Sequence, residues 1–172
     1  MAITQIIGKG LPNGFAGWYA YQPDLVIKTR PAGGDTPFPF GTALKYASGN
    51  TGAVVPMGAG DAATAFVGVA CYEVKTPVSY ADQGVGMYAP KDAVAVFMRG
   101  AVNVKVQKGT PALGGTVYVR VAANASYPTA VVGGFEAEAD GNNTVALTGV
   151  QFEGAADANG VAAIRILYMQ KA

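Results

Sequence analysis

The residues of this chain that could do chemistry are few, and the densest group of them is Glu136-Ala137-Glu138-Ala139-Asp140-Gly141-Asn142-Asn143. Alternating carboxylates ending in Asp-Gly resemble the start of a calcium loop, where oxygens at alternate positions meet the ion and glycine permits the turn. The bidentate acid such a loop needs at its twelfth position is Leu147 here, and the first two ligands are Glu rather than Asp. A solvated, self-repelling loop is the expectation, with a weak metal site as the sharper alternative. A hydrolase would need a carboxyl pair such as Glu136 and Glu138 with one pKa raised, and nothing in the spacing sets that pair apart.

Other candidates are thinner still. The chain has no histidine, which removes the commonest general base and metal ligand. Gly8-x-Gly10-x-x-x-Gly14 lacks the spacing, and the following helix, that hold a pyrophosphate. Ser48, Ser79 and Ser126 stand in turn-like settings without a nucleophile elbow. The single cysteine, Cys71, lies in the apolar run 64–74 with no basic neighbour, so a buried structural thiol is expected. No enzyme, cofactor or metal is read from these residues.

The elements that would position such groups read as strands. Val102, Val104 and Val106 share one parity and Ala101, Asn103 and Lys105 the other; Val117, Val119 and Val121 alternate with Tyr118 and Arg120, which point away from the core face. Strands are predicted at residues 42–46, 53–57, 64–74, 85–88, 93–98, 101–106, 116–121, 129–132, 144–153 and 161–169. Gly- and Asn-rich turns separate most of them, and Arg99-Gly100 is read as a connection. The last two strands, joined by Gly154–Gly160, form a hairpin. No apolar repeat of helical period runs for twelve residues, so almost no helix is expected.

Residues 1–41 differ. Glycine and proline punctuate them too often for regular structure, apart from a short strand at 25–28, and between these fall Phe15, Trp18, Tyr19, Tyr21, Phe38 and Phe40. The expected organisation is all-β: an extended N-terminal arm, 1–41, and a single β-barrel or jelly-roll-like body, 42–172. The arm either covers its own sheet or reaches a neighbouring subunit, where those six aromatics would anchor it.

Composition narrows the partners. Charged residues make up 13% of the chain and the net charge is +1. The basic residues are scattered singly, which argues against phosphate binding and hence against nucleic acid. No apolar stretch is long enough for a membrane span, and no signal peptide is read at the N-terminus, so synthesis in a cytoplasm is expected. A weakly charged, glycine-rich surface favours contact with other proteins over life as a bare monomer.

Three segments carry a family resemblance: Pro37-Phe38-Pro39-Phe40-Gly41-Thr42-Ala43-Leu44-Lys45; Arg99-Gly100-Ala101-Val102-Asn103-Val104; and Lys108-Gly109-Thr110-Pro111-Ala112-Leu113-Gly114-Gly115-Thr116-Val117-Tyr118-Val119. With the closing strands 148–153 and 161–167, they resemble the structural cement (capsid decoration) proteins of tailed bacteriophages. The resemblance implies a compact β-barrel or jelly-roll-like body on the outer surface of the virion, bridging major capsid protein subunits after the head expands. It implies a homo-oligomer, a trimer before a dimer, and brings no active residues. The competing expectation, from exposed Trp18, Tyr19 and Tyr21, is a carbohydrate-binding β-sandwich or virion adhesin.

Overall fold

The computed structural model describes residues 12–49, 52–73 and 86–169. Among these the chain is nearly all β, with two single-turn 3-10 segments, at Ala63–Ala65 and Gly141–Asn143, and no α-helix. In chain order the strands are β1 (Tyr19–Pro31), β2 (Phe38–Pro39), β3 (Ala43–Tyr46), β4 (Val54–Pro56), β5 (Gly68–Ala70) and β6 (Met87–Tyr88). They continue with β7 (Ala93–Lys105), β8 (Thr116–Arg120), β9 (Phe135–Glu136), β10 (Thr144–Phe152) and β11 (Val161–Ile166).

One sheet holds nine of these, in the order β4-β3-β5-β7-β11-β10-β8-β9, with β1 paired to β7; β2 and β6 form a separate pair. The large sheet curls into a half-barrel. Single bridges bring Val106, just past β7, to Phe135 in β9 and Ala32, just past β1, to Val54 in β4. The hollow is filled by Phe97, Val102, Val104, Val117, Val119, Phe135, Phe152 and Ile164, all fully buried. A second, smaller cluster (Leu44, Val54, Val67, Val94, Val96 and Tyr88) fills the space beneath the β2–β6 pair.

β7 is the strand the sheet is built on, and it corrects the sequence reading. Residues 93–98 and 101–106 are not two strands with a turn between them: Ala93–Lys105 is one strand, and Arg99-Gly100 is a bulge within it. Gly100 has φ 107°. Opposite it, β1 runs four residues, 22–25, against one, since Tyr21 pairs with Ala101 and Val26 with Arg99. An extra residue reverses the side-chain parity of whatever follows it. Before the bulge Val94, Val96 and Met98 face the small cluster and Phe97 the large one; after it Val102 and Val104 face the large one. One strand thereby serves both cores.

Other departures have local causes. The predicted strand 64–74 is interrupted by the 3-10 turn Ala63–Ala65 and keeps strand pairing only at Gly68–Ala70 within its described part; Val74 lies outside the described residues, as do Ser79 and Val85. The predicted strand 129–132 is a chain of turns, and pairing resumes at Phe135–Glu136. β11 stops at Ile166, short of 169. The short strand expected at 25–28 is the middle of a thirteen-residue one. The terminal hairpin is present: Val150, Gln151 and Phe152 pair with Ile166, Arg165 and Ile164. Its turn is held by the Asp157 carboxylate, which accepts from the amides of Asn159 and Val161 (both 2.9 Å).

Candidate functional site

The acidic stretch is only in part the solvated loop its composition indicates: Glu138, Gly141 and Asn142 are exposed, but Glu136 is not. Arg120 and Glu136 have no accessible surface. They meet in a forked ion pair, Nε to Oε1 at 2.5 Å and Nη2 to Oε2 at 3.1 Å. The backbone dictates this. Glu136 in β9 lies opposite Tyr118 in β8, so it projects from the same sheet face as Tyr118 and Arg120, away from the valine face. Arg120 does point away from the core, as its parity requires, but the loop 121–134 folds over it. Its Nη2 also donates to Asp140 (2.8 Å), which accepts from Asn124 Nδ2 (2.8 Å) and pairs with Lys108 at 3.4 Å. Lys108 in turn lies over the Tyr127 ring, 4.8 Å from its centroid.

The network therefore staples the loop 121–134 to the sheet. Glu136 is sealed from solvent and bound by arginine, so it and Glu138 form no hydrolytic pair that a substrate could enter. Among the described residues no three of His, Cys, Asp and Glu gather as metal ligands.

Hydrogen bonds from Asn124 and Arg120, with the nearby Lys108 charge, lower the Asp140 carboxyl from 3.8 to about 2. A carboxyl depressed on folding stabilises above its unfolded pKa and loses that contribution as pH falls through its folded one. Urea unfolding is therefore expected to show stability falling between pH 4 and pH 2, and Asp140→Asn should flatten that part of the profile. A wild-type profile that is flat across this window would contradict the assignment.

The other candidate site is aromatic. Residues 12–18 run back along β7, where the Gly17 amide donates to the Asn103 carbonyl (2.8 Å) and the Asn103 amide to the Trp18 carbonyl (2.7 Å). Asn13 fastens the start of this segment, taking its amide to Asp157 (2.7 Å) and its side chain to the Val161 carbonyl (2.6 Å). Gly17 is required there, because a Cβ would stand 2.5 Å from the Ala70 carbonyl oxygen. This course sets Phe15 stacked on Tyr72 (centroids 5.2 Å apart, planes at 15°) and Trp18 beside both Tyr72 (5.3 Å) and Tyr19 (6.1 Å). Tyr72 continues to Phe40 (5.2 Å), Phe40 to Tyr88 (5.0 Å) and Tyr88 to Phe38 (5.7 Å).

The six aromatics singled out in the sequence thus divide. Phe15 (61% exposed), Trp18, Tyr19 and Tyr21 are on the surface; Phe15, Trp18 and Tyr19 belong to the band, and Tyr21 stands opposite Ala101 in β7. Phe40 is half-buried, and Phe38, at 3% exposure, is interior and holds the small core together. Phe38 is therefore removed from the candidate contact surface. Tyr72 was not singled out, although it joins Phe15, Trp18 and Phe40; its one signal is that it follows buried Cys71 with opposite parity.

Behind the band the Tyr88 hydroxyl donates to the Cys71 carbonyl (2.9 Å). Burial, with the charge of Glu73, pushes the Cys71 thiol up to about 12, so the thiol is unreactive as long as the fold is intact. In front of the band a cleft of about 260 Å³ opens, lined by Trp18, Tyr19, Ile27, Tyr72, Glu73 and Ala95.

Comparison with known proteins gives one family and one fold. The family model described as "Structural cement protein (E217 gp24/Pam3 gp6)" matches residues 3–167. No curated protein matches the chain. Among solved structures, a chain of "The capsid of Myoviridae Phage XM1" superposes with a TM-score of 0.65 at 17% identity, over 97% of this chain and 98% of that one. At that identity the likeness is one of fold.

Proposed function

The chain belongs to the structural cement protein family of phages, and from that premise we propose that it binds the outside of the expanded head and stabilises contacts between major capsid protein subunits. The family match over nearly the whole chain carries this reading. The surface is consistent with it: what the chain offers a partner is exposed aromatic area, while its buried charges are spent on one another. Aromatics of this kind are effective anchors in protein interfaces.

A homotrimer is the favoured assembly, and a dimer the second choice. The barrel or jelly-roll character of the body, with an arm reaching a neighbour, belongs to the same proposal. From Pro12 onward the segment 1–41 lies along its own sheet, so the reach of the arm concerns residues 1–11, which are outside the described residues.

The test is binding to expanded heads that lack this protein. Wild-type protein should bind to saturation. Phe15→Ala/Trp18→Ala should bind at least about tenfold more weakly, as the loss of two interface aromatics implies, with an unchanged circular dichroism spectrum. Failure of the wild type to bind at micromolar concentration would remove the proposal.

A further inference from the structure

β1 pairs with β7 along one edge, while its other edge meets the sheet only at its far end, where Ala32 bridges Val54 in β4. The amide of Cys71 donates to the carbonyl of Ala95 (2.8 Å), and Val69 pairs with Phe97, so Ala95 and Phe97 turn their main-chain groups toward β5. Thr29 stands opposite Ala95 and Ile27 opposite Phe97. In an antiparallel ladder the two members of a pair face each other or face apart together. Ile27 and Thr29 therefore aim their N–H and C=O groups outward, and Lys28 and Arg30 take the bonds to β7. The same alternation continues beyond the strand: the Ala32 amide turns inward to Asp92 (2.7 Å) and the Gly33 amide outward to Val54 (2.8 Å).

Ile27, Lys28 and Thr29 are exposed, and among the described residues no main-chain partner stands on the outer side of Ile27 or Thr29. Open edges are normally covered or blunted, because their free donors and acceptors pair with any strand that arrives. Pro31, next in the same parity, has no N–H to offer.

The two faces flanking this edge differ in chemistry. On one, Ile27 lines the cleft it shares with Trp18 and Tyr72. On the other stand two cations, Lys28 and Arg30, and neither pairs with a carboxylate among the described residues. Arg30 lies over the Tyr46 ring at 5.7 Å, with its Nε buried and unpartnered. Two copies of β1 laid antiparallel along these edges would bring lysine against lysine, which disfavours self-pairing. A strand with carboxylates on that face would be drawn to it.

We propose that the free edge of β1 takes an extended segment of the capsid subunit by strand addition, a segment whose side chains alternate between acidic, over Lys28 and Arg30, and apolar, entering the Trp18–Ile27–Tyr72 cleft. This rests on the capsid role proposed above and adds the mode and chemistry of contact.

The experiment uses expanded heads lacking the protein as the probe. On binding, the amides of Ile27 and Thr29 should pass from fast to slow hydrogen exchange. Thr29→Pro removes an outward donor while leaving the bonds of Lys28 and Arg30 to β7. Lys28→Glu/Arg30→Glu reverses the charge of one face. Each should weaken binding by roughly tenfold or more, and added salt should weaken the wild type. If Thr29→Pro does not fold, the charge variant and the exchange measurement decide. Wild-type binding with unchanged exchange at Ile27 and Thr29, and with both variants binding normally, would overturn the strand-addition proposal and leave the capsid role standing. Variants that split a self-assembled oligomer while still binding heads would assign the edge to a second copy, and overturn it likewise. If the wild type does not bind at all, the capsid role itself fails.

Discussion

Arg120→Ala is expected to cost about 3–5 kcal/mol of folding stability, the usual loss when one partner of a buried ion pair is removed. The reason lies in what remains. Glu136 has no accessible surface, and both its oxygens accept from Arg120; without the guanidinium it must ionise in an apolar site or take up a proton. Asp140 and the Ala122 carbonyl lose a donor at the same time, so the loop 121–134 is released along with the charge. The contrasting variant is Arg120→Met/Glu136→Leu, which removes both charges and fills the volume. Replacing a buried pair with apolar residues is often close to neutral, so the double variant should recover most of the loss. Urea unfolding of the three proteins measures this. A double variant as unstable as the single one would mean that packing at this site, and not the uncompensated charge, sets the cost.

The second large effect is expected at Gly100. A Cβ there would stand 2.0 Å from the Asp24 carbonyl oxygen and 3.1 Å from the Leu25 Cα, at a φ of +107° that side chains rarely adopt. Both contacts are with backbone, so no rotamer change relieves them. Gly100→Ala must push β1 off the bulge or flatten the bulge, and flattening reverses the parity that gives β7 its place in both cores. A loss of roughly 3 kcal/mol or more is expected, combining steric overlap with the strained φ. Gly114→Ala is the control: its φ is +75° but nothing lies within 4 Å of the added Cβ, so the cost should stay near 1 kcal/mol. Equal losses at the two sites would show that φ alone matters and that the close approach of β1 does not.

Alternation was legible wherever a strand has one dry face. Val117, Val119 and Val121 on one side, and the hairpin closing at Val161, were read correctly because period two is a local property of the chain. The bulge was not legible. Arg99-Gly100 looks the same in a turn and in a bulge, and only the excursion of β1 at residues 22–25, far away in the sequence, decides between them. Arg120 and the acids of 136–140 show the other limit. Parity placed Arg120 away from the valines, but whether that side meets water depends on a loop whose own sequence predicted a strand. Among the aromatics, position in a Pro/Gly-rich segment marked them as unusual without separating Phe38, which is interior, from Phe15 and Trp18, which are not. The free edge of β1 could not be read at all, since an open edge is a property of the strand order.

The proposed role, fastening capsid subunits from outside the shell, is decided by heating expanded heads that lack this protein, with and without the protein added back. The disruption temperature should rise and level off once the added protein reaches a fixed ratio to capsid subunits, with the protein sedimenting with the heads. An unchanged disruption temperature, with the protein left in the supernatant, would contradict it.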